Sequence, residues 1–192
     1  VHAFEGAGVV PGNIAKPADA WTALVKVGEQ TIPAPTHLFG DVINIIPPQR
    51  AGTIAQVSKL ADENGWCPVD QRSFESAIHK DVYVIGDASV AGQMPKSGFA
   101  ANSQGKVCAA ALAAKILGIE MPDPSYVNTC YSLVSPDYGI SVAAVYRLTD
   151  GEIKKVEGAG GVSPMDADRE FRQAEARYAV GWYQSITSDT FS

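Results

Sequence analysis

Asp87 is the residue of this chain to which a chemical role is most readily assigned, because it follows a short apolar run. Residues 82–85 are Val, Tyr, Val and Ile, and Gly86 separates them from the aspartate. Such a run predicts a buried strand of a parallel sheet, and ligands bind outside the carboxyl ends of such strands. A carboxylate there can accept hydrogen bonds from sugar-like hydroxyls, as the ribityl chain of FAD requires. The same dipeptide also fits an ordinary turn.

A long helix is predicted over residues 97–117, shortly after Asp87. Ser97 is a suitable N-cap residue, and the partial positive charge of the helix N-terminus would lie beside Lys96 and Gly98. Aimed at a flavin ring, this charge and that of the lysine would stabilise the anionic reduced ring. The alternative is a capped surface helix that carries a solvated lysine.

The chain contains three cysteines, an odd number. Cys67, beside a tryptophan, and Cys108, inside an alanine-rich segment, are predicted to be buried structural thiols, because free cysteine packs as a small hydrophobic side chain. Cys130 differs, since it follows two prolines and precedes a polar stretch. It is therefore the candidate for an accessible thiol.

Composition and charge argue against several classes of protein. Of the 192 residues, 46% are hydrophobic and 19% are charged, and the net charge is −6. These values indicate a globular protein, and the acidic balance argues against a nucleic-acid partner, which needs a basic face. No apolar run approaches the ~18 residues of a membrane span. The three histidines show no metal-like spacing with cysteines or carboxylates, so we predict no metal site.

A glycine-rich phosphate-binding fingerprint is missing from this sequence. Flavin sites of this type normally begin with a strand, G-x-G-x-x-G and a helix whose N-terminus binds the pyrophosphate. Residues 158–161 are glycine-rich but follow no buried strand of useful length, and we predict a loop there. The chain begins at Val1 without a basic and apolar leader segment. We therefore expect either a protein without flavin or the C-terminal part of a flavoprotein with a processed or truncated start.

Alternating and periodic apolar residues predict the remaining elements. The expected strands are 23–27, 30–32, 42–46, 140–147 and 153–156, with turns at Gly28-Glu29 and Asp150-Gly151. The expected helices are 53–63, with Ile54, Val57 and Leu60 facing one side, and 166–185, an amphipathic helix that bears Phe171, Ala174, Tyr178 and Trp182.

Several segments resemble the flavoprotein subunit of flavocytochrome c sulfide dehydrogenase. The resemblance runs in register from about residue 41 to the end of the chain, whereas residues 1–40 match poorly. The matching segments are 41–52 (DVINIIPPQRAG), 65–70 (GWCPVD), 84–89 (VIGDAS), 94–98 (MPKSG), 102–107 (NSQGKV), 125–132 (SYVNTCYS), 181–185 (GWYQS) and 189–191 (DTF).

This resemblance implies an α/β fold, α+β at its C-terminal end, that forms the C-terminal half of a glutathione-reductase-like flavoprotein with two dinucleotide-binding domains. Residues 1–48 would be the tail of the NAD-like domain, residues 49–120 the second half of the FAD-binding domain, and residues 121–192 the C-terminal interface domain. The amino-terminal half would lie outside this chain. It would carry the glycine fingerprint, the cysteine that tethers the flavin and one redox cysteine.

The resemblance also implies an enzyme that oxidises sulfide at a disulfide and passes electrons through FAD to a cytochrome c subunit in the periplasm. Cys130 would be one half of that disulfide, and a purely stabilising disulfide is the alternative. The residues implied to bind FAD are Asp87, Lys96, Ser97, Gly98 and Trp182, with the tryptophan packed by the flavin.

Two other functions stay open at this point. One is a sulfide:quinone oxidoreductase, a relative with a membrane-bound acceptor. Against it, residues 166–192 are rich in charged side chains and are not the apolar kind of tail that inserts into a membrane. The other is a non-catalytic fragment that docks a cytochrome and holds no flavin.

Overall fold

The computed structural model describes residues 7–10, 24–27, 30–33 and 49–191. The chain divides into two compact units, residues 1–49 and 50–192. Helices and strands both occur, so the protein is of the mixed α/β class that the sequence predicted. The second unit contains every residue predicted for the functional site.

Three short antiparallel strands form the described part of the first unit. Strand β1 (Ala7–Val10) pairs with β2 (Leu24–Val27), and β2 pairs with β3 (Gln30–Pro33). The register places Val27 opposite Gln30, so two residues link β2 to β3, which confirms the predicted hairpin. The strand predicted at 42–46 lies outside the described residues.

Two long helices and a three-stranded antiparallel sheet make up most of the second unit. In chain order its elements are α1 (Thr53–Val57), β4 (Cys67–Pro68), a 3-10 turn (Gly86–Ala88), β5 (Ser89–Val90), α2 (Gly98–Leu117), β6 (Ser125–Ser135), β7 (Tyr138–Thr149), β8 (Glu152–Val162) and α3 (Arg169–Phe191). The larger sheet has the order β6-β7-β8, and β4 and β5 form a separate parallel pair.

The hairpin between β7 and β8 confirms the predicted Asp-Gly turn. Asp150 and Gly151 have φ values of 54° and 78°, the left-handed conformations that a two-residue type I′ loop needs. Strand β7 includes the predicted strand 140–147, and β8 continues beyond the predicted return strand as far as Val162.

The loop predicted at residues 158–161 is wrong, because these glycine-rich residues lie inside β8. A Cβ on Gly160 would lie 2.2 Å from the carbonyl oxygen of Ala143 on β7. The missing side chain therefore permits close pairing next to an irregularity in the β7–β8 register. Here glycine preserves the strand, whereas sequence reasoning took it as a sign of a loop.

Aromatic and branched side chains form the larger core of the second unit. Tyr126 of β6 and Phe74 are fully buried and meet edge to face, with 6.1 Å between ring centroids. The Tyr126 hydroxyl donates a hydrogen bond to the Gln71 carbonyl at 2.5 Å, which satisfies its polar end inside the core. The other buried members are Ala91, Met94, Ala100, Val107, Ala144, Tyr146 and Ile153.

The predicted long helix is confirmed as α2, which runs beside strand β6. The Ser97 hydroxyl caps α2 by accepting a hydrogen bond from the backbone N–H of Ala100 at 3.1 Å. Further along the helix, Ser103 accepts a hydrogen bond at 3.2 Å from the backbone N–H of Val127 in β6. In the described sheet β6 is an edge strand. A helix side chain therefore satisfies a donor on an otherwise open edge.

The strand predicted at residues 82–85 is wrong. Only Tyr83 makes a β-bridge there, with Glu75, and Val82 and Ile85 are exposed. In the described part of the chain the parallel pairing joins β4 to β5 instead. A regular strand needs a hydrogen-bonded neighbour along its length. An apolar composition can indicate a strand, but it cannot supply that neighbour.

The apolar faces predicted for the other two helices are also wrong. Helix α1 has only five residues and buries Ala55, whereas Ile54 and Val57 are exposed. Helix α3 leaves Phe171 and Tyr178 exposed. Its buried residues are Arg172, Glu175, Ala176 and Ala179.

Close backbone contact between β7 and α3 explains which face of α3 is buried. A Cβ on Gly139 of β7 would lie 2.5 Å from the backbone nitrogen of Ala176 and 2.6 Å from the carbonyl carbon of Glu175. No large apolar side chain fits in such a gap, because protein interiors are close-packed. At this contact α3 therefore meets β7 through its backbone at Glu175 and Ala176.

We expect Gly139→Ala to lower the free energy of unfolding by about 1–3 kcal/mol, because the added methyl group overpacks this contact. The matched control is Gly181→Ala in α3, where a Cβ would meet no atom within 4 Å. Alanine there should be neutral or stabilising by up to about 1 kcal/mol, given its higher helix propensity. Urea unfolding measures both variants. Unchanged stability of Gly139→Ala would contradict the close approach of α3 to β7.

Candidate functional site

The residues predicted for the site are all linked to the beginning of helix α2. These residues are Asp87, Lys96, Ser97, Gly98, Cys130 and Trp182. Two buried polar residues, Gln104 and Asn128, complete the links. The site therefore consists of one helix terminus with a turn, a strand and an aromatic side chain arranged around it.

Asp87 is the exposed residue of a 3-10 turn, Gly86–Ala88, and does not lie at the end of a strand. Gln104 of α2 is only 2% exposed, and its Oε1 accepts a hydrogen bond from the backbone N–H of Gly86 at 2.7 Å. The Ser89 hydroxyl donates to the Gly86 carbonyl at 2.8 Å. Asp87 therefore reaches solvent from a turn whose backbone is fixed to α2.

Lys96, which follows this turn in the sequence, also binds its backbone. Its ammonium group donates hydrogen bonds to the backbone carbonyls of Asp87 and Ser89 and lies 3.6 Å from the ring centroid of Trp66. A cation over an indole face is an attractive arrangement. Burial lowers the pKa of Lys96, and the Asp87 carboxylate opposes that shift. The lysine is therefore a support for the Asp87 turn as well as a positive charge beside it.

A chain of hydrogen bonds connects the N-cap of α2 to Cys130. The Ser97 hydroxyl donates to Oδ1 of Asn128 at 2.5 Å, and Nδ2 of Asn128 donates to the Cys130 sulfur at 3.3 Å. Asn128 lies two residues before Cys130 in β6, and residues two apart in a strand point to the same face. The thiol therefore lies on the face of the sheet that meets the N-terminus of α2.

Trp182 of α3 covers the first turn of α2. Its ring stacks on that of Phe99, with 5.8 Å between centroids and 12° between planes, and tilts against Tyr131 at 6.3 Å. A Cβ on Gly98 would lie 4.0 Å from Cη2 of Trp182. The tryptophan is thus part of an aromatic surface beside the helix terminus, and its contact in β6 is Tyr131, the residue after Cys130.

The three cysteines are free thiols in different environments. Cys130 is half-buried inside strand β6, opposite Val142. Cys67 is fully buried, and Cys108 packs against the larger core. Burial raises the pKa of the Cys67 and Cys108 thiols, which makes them poor nucleophiles at neutral pH. Both agree with the packing roles predicted for them.

The donor and acceptor groups at the α2 N-terminus fit the ribityl and ring portions of a flavin. Asp87 offers an exposed carboxylate that can accept hydrogen bonds from hydroxyl groups. The first turn of the 20-residue helix supplies backbone N–H groups and a partial positive charge. Phe99 and Trp182 supply an aromatic surface. Within the described ranges, no strand, glycine-rich loop and helix occur in succession to hold the pyrophosphate.

The described ranges, residues 7–10, 24–27, 30–33 and 49–191, bear on metal binding and on membrane crossing. They contain no group of three or more His, Cys, Asp or Glu side chains placed to hold a metal ion. None of the helices in those same ranges combines the length and the apolar character needed to cross a bilayer.

Sequence reasoning missed Gln104 and Asn128, the two buried polar residues that connect the site. A signal for Asn128 was available. If residues 125–132 are taken as a strand, Tyr126, Asn128 and Cys130 fall on one face. Gln104 gave no comparable signal, because a glutamine on a long helix is ordinarily exposed.

Residues 122–191 match the family model described as "Flavocytochrome c sulphide dehydrogenase, flavin-binding". The match covers the sheet β6-β7-β8 and helix α3, and it includes Asn128, Cys130 and Trp182. It confirms, over these residues, the resemblance found in the sequence, and a flavin-binding family agrees with FAD as the cofactor. Over residues 122–191, this chain is therefore similar to the flavin-binding domain of flavocytochrome c sulphide dehydrogenase.

Proposed function

We propose that this chain is the C-terminal part of the FAD-binding subunit of a sulfide dehydrogenase that delivers electrons to a cytochrome c. The observation that carries the proposal is the hydrogen-bonded link from Ser97 through Asn128 to Cys130. It brings a potential nucleophile next to a helix terminus that can stabilise negative charge. The family match over residues 122–191 supports a flavin as the redox group.

The whole protein in this proposal has a glutathione-reductase-like fold. Residues 1–48 complete an NAD-like domain, residues 49–120 complete the FAD-binding domain, and residues 121–192 form the interface domain. The amino-terminal half of the flavoprotein lies outside these 192 residues and supplies the pyrophosphate cradle. A cytochrome c subunit is the second partner, and the periplasm is the proposed compartment, because disulfides persist in oxidising surroundings.

The residues of this chain take complementary roles around the flavin. Asp87 binds the hydroxyls of the ribityl chain, on a turn fixed by Lys96 and Gln104. The first turn of α2, at Ser97 and Gly98, offers backbone N–H groups to the ring. The aromatic surface of Trp182 and Phe99 packs beside it.

Cys130 provides the reactive sulfur of this proposal, in a disulfide with a cysteine outside this chain. HS⁻ attacks one sulfur of that disulfide, so the S–S bond breaks and a new S–S bond gives a persulfide on the attacked cysteine. The other cysteine leaves as a thiolate that carries the electron pair, and the sulfide proton passes to solvent. When bound, FAD supplies a two-electron acceptor that releases single electrons to the cytochrome c.

Asp87→Ala should lower the flavin content of the protein assembled with its amino-terminal half, because the ribityl hydroxyls lose their acceptor. The fold should remain intact, since Asp87 is exposed. Flavin absorbance per protein and circular dichroism measure the two effects. The control Asp166→Ala removes an exposed carboxylate from the segment before α3. A parent-like flavin content in the Asp87 variant would remove this residue from the site.

The isolated 192-residue chain should bind free FAD weakly, with a dissociation constant above about 10 µM, or roughly −7 kcal/mol at best. The reason is that the described residues offer ribityl and ring contacts without a pyrophosphate cradle. Titration followed by flavin fluorescence measures this affinity. Nanomolar binding would reveal a phosphate site in the chain.

If flavin bands are missing even from the visible spectrum of the full assembly, the protein is a non-catalytic docking fragment and the proposal is overturned.

Cys130→Ser should abolish sulfide-dependent cytochrome c reduction in the assembled enzyme, because a serine hydroxyl cannot form the disulfide. Flavin content should stay near the parent level. The control is Cys108→Ala, which removes the half-buried thiol of α2 and should retain activity. If Cys130→Ser still oxidises sulfide at the parent rate, the mechanism through this cysteine is wrong.

A further inference from the structure

Asn128 is an unusual residue in its position, because it is a polar side chain that is only 3% exposed in the middle of a strand. Its neighbours on the same face of the sheet include Tyr126 and Ala144, which are buried and apolar or aromatic. A buried amide is costly unless its hydrogen-bonding groups are satisfied. At Asn128 both ends of the amide have partners, Ser97 on one side and Cys130 on the other.

The Ser97 hydroxyl fixes which end of the amide faces the cysteine. Its oxygen already accepts the capping hydrogen bond from Ala100, and its single proton goes to Oδ1 of Asn128 at 2.5 Å. With Oδ1 held by that proton, the NH₂ group of Asn128 is the end directed at the Cys130 sulfur, at 3.3 Å. The distance from the same sulfur to Oδ1 is longer, 3.9 Å. Asn128 thus presents a donor to Cys130.

We infer that Asn128 is a positioning residue that orients the sulfur of Cys130 and donates a hydrogen bond to it when the sulfur carries negative charge. The inference rests on the proposed function, in which Cys130 is freed from its disulfide as a thiolate or carries the persulfide. In either case charge develops at or beside a sulfur that this N–H contacts. Through Ser97 the same donor is anchored to the N-cap of α2, so the thiol and the helix terminus are held in one arrangement.

A purely structural role is the competing explanation, because the Ser97–Asn128 hydrogen bond also ties α2 to β6. The chain offers a matched control for that possibility. Ser103 accepts a hydrogen bond from the backbone of Val127 and ties the same two elements together, with no bond to Cys130. Loosening of α2 alone would change the reactivity of Cys130 in Ser103→Ala as well, whereas loss of the donor would change it in the Asn128 variants and not in Ser103→Ala.

The test is the alkylation of Cys130 by iodoacetamide in the reduced 192-residue chain, followed from about pH 6 to 9, where the thiolate fraction changes. Peptide mass spectrometry assigns the label to Cys130 and separates it from the other two cysteines. Asn128→Asp, of nearly equal size, replaces the donor with an acceptor, and Asn128→Ala removes the amide. Circular dichroism and thermal unfolding check that each variant is folded.

At neutral pH we expect both Asn128 variants to be alkylated about 3- to 10-fold more slowly than the parent, the effect of losing one net hydrogen bond. The whole rate–pH profile should move to higher pH, with the larger shift for the aspartate because of its charge. Ser103→Ala should keep the parent profile. Ser97→Gly removes the anchor of Oδ1 at a small capping cost, and it should show a smaller shift in the same direction.

The Ser97 variant also keeps the inference testable if both Asn128 variants fail to fold. Parent-like profiles for the folded variants at Asn128 or Ser97 would overturn the role of Asn128, and so would an equal shift in Ser103→Ala. These outcomes are distinct from failure of the proposed function. That function fails if Cys130→Ser retains sulfide oxidation, whatever the alkylation profile shows.

Discussion

The packing of helix α2 along strand β6 is the contact on which the second unit depends. Ser103 satisfies the backbone N–H of Val127 on the edge of the sheet, while Ala100 and Val107 join Tyr126 in the larger core. The helix therefore satisfies part of a sheet edge that would otherwise be open and supplies apolar surface at the same time. Because both functions belong to one rigid element, the position of the sheet relative to the helix N-terminus is closely defined.

The two candidate functional groups, the Asp87 carboxylate and the Cys130 thiol, are positioned by this helix and by the residues just before it. Gln104 and Lys96 hold the turn that carries Asp87, and Ser97 holds Asn128, which contacts Cys130. The carboxylate and the thiol lie on different segments, yet each is reached from α2 by one or two hydrogen bonds. Sites supported in this way keep their geometry without depending on loop order. A cofactor bound at the helix terminus would meet both groups already in place.

Helix α3, near the C-terminus of the chain, packs on the first turn of α2 through Trp182. Asp189 accepts hydrogen bonds from Asn102 at 3.1 Å and from Lys106 at 2.7 Å, and these contacts bring Trp182 onto the first turn of α2. Exposed ion pairs of this kind contribute little stability individually. Their effect is better described as fixing the register of α3 along α2. The close approach at Gly139 fixes the same helix against the sheet.

The sequence alone determined the elements whose signals are local. The capped helix α2, the Asp150-Gly151 hairpin and the β2–β3 hairpin follow from N-cap preference, turn conformation and alternation, each a property of a few consecutive residues. Resemblance to a family indicated the flavin and drew attention to Cys130. Which faces are buried depends instead on tertiary contacts. Val82, Ile85 and Phe171 are exposed where no partner layer covers them, and the polar Gln104 and Asn128 are buried because their hydrogen bonds are satisfied. Burial depends on neighbours distant in the chain, and no local pattern of residues contains that information.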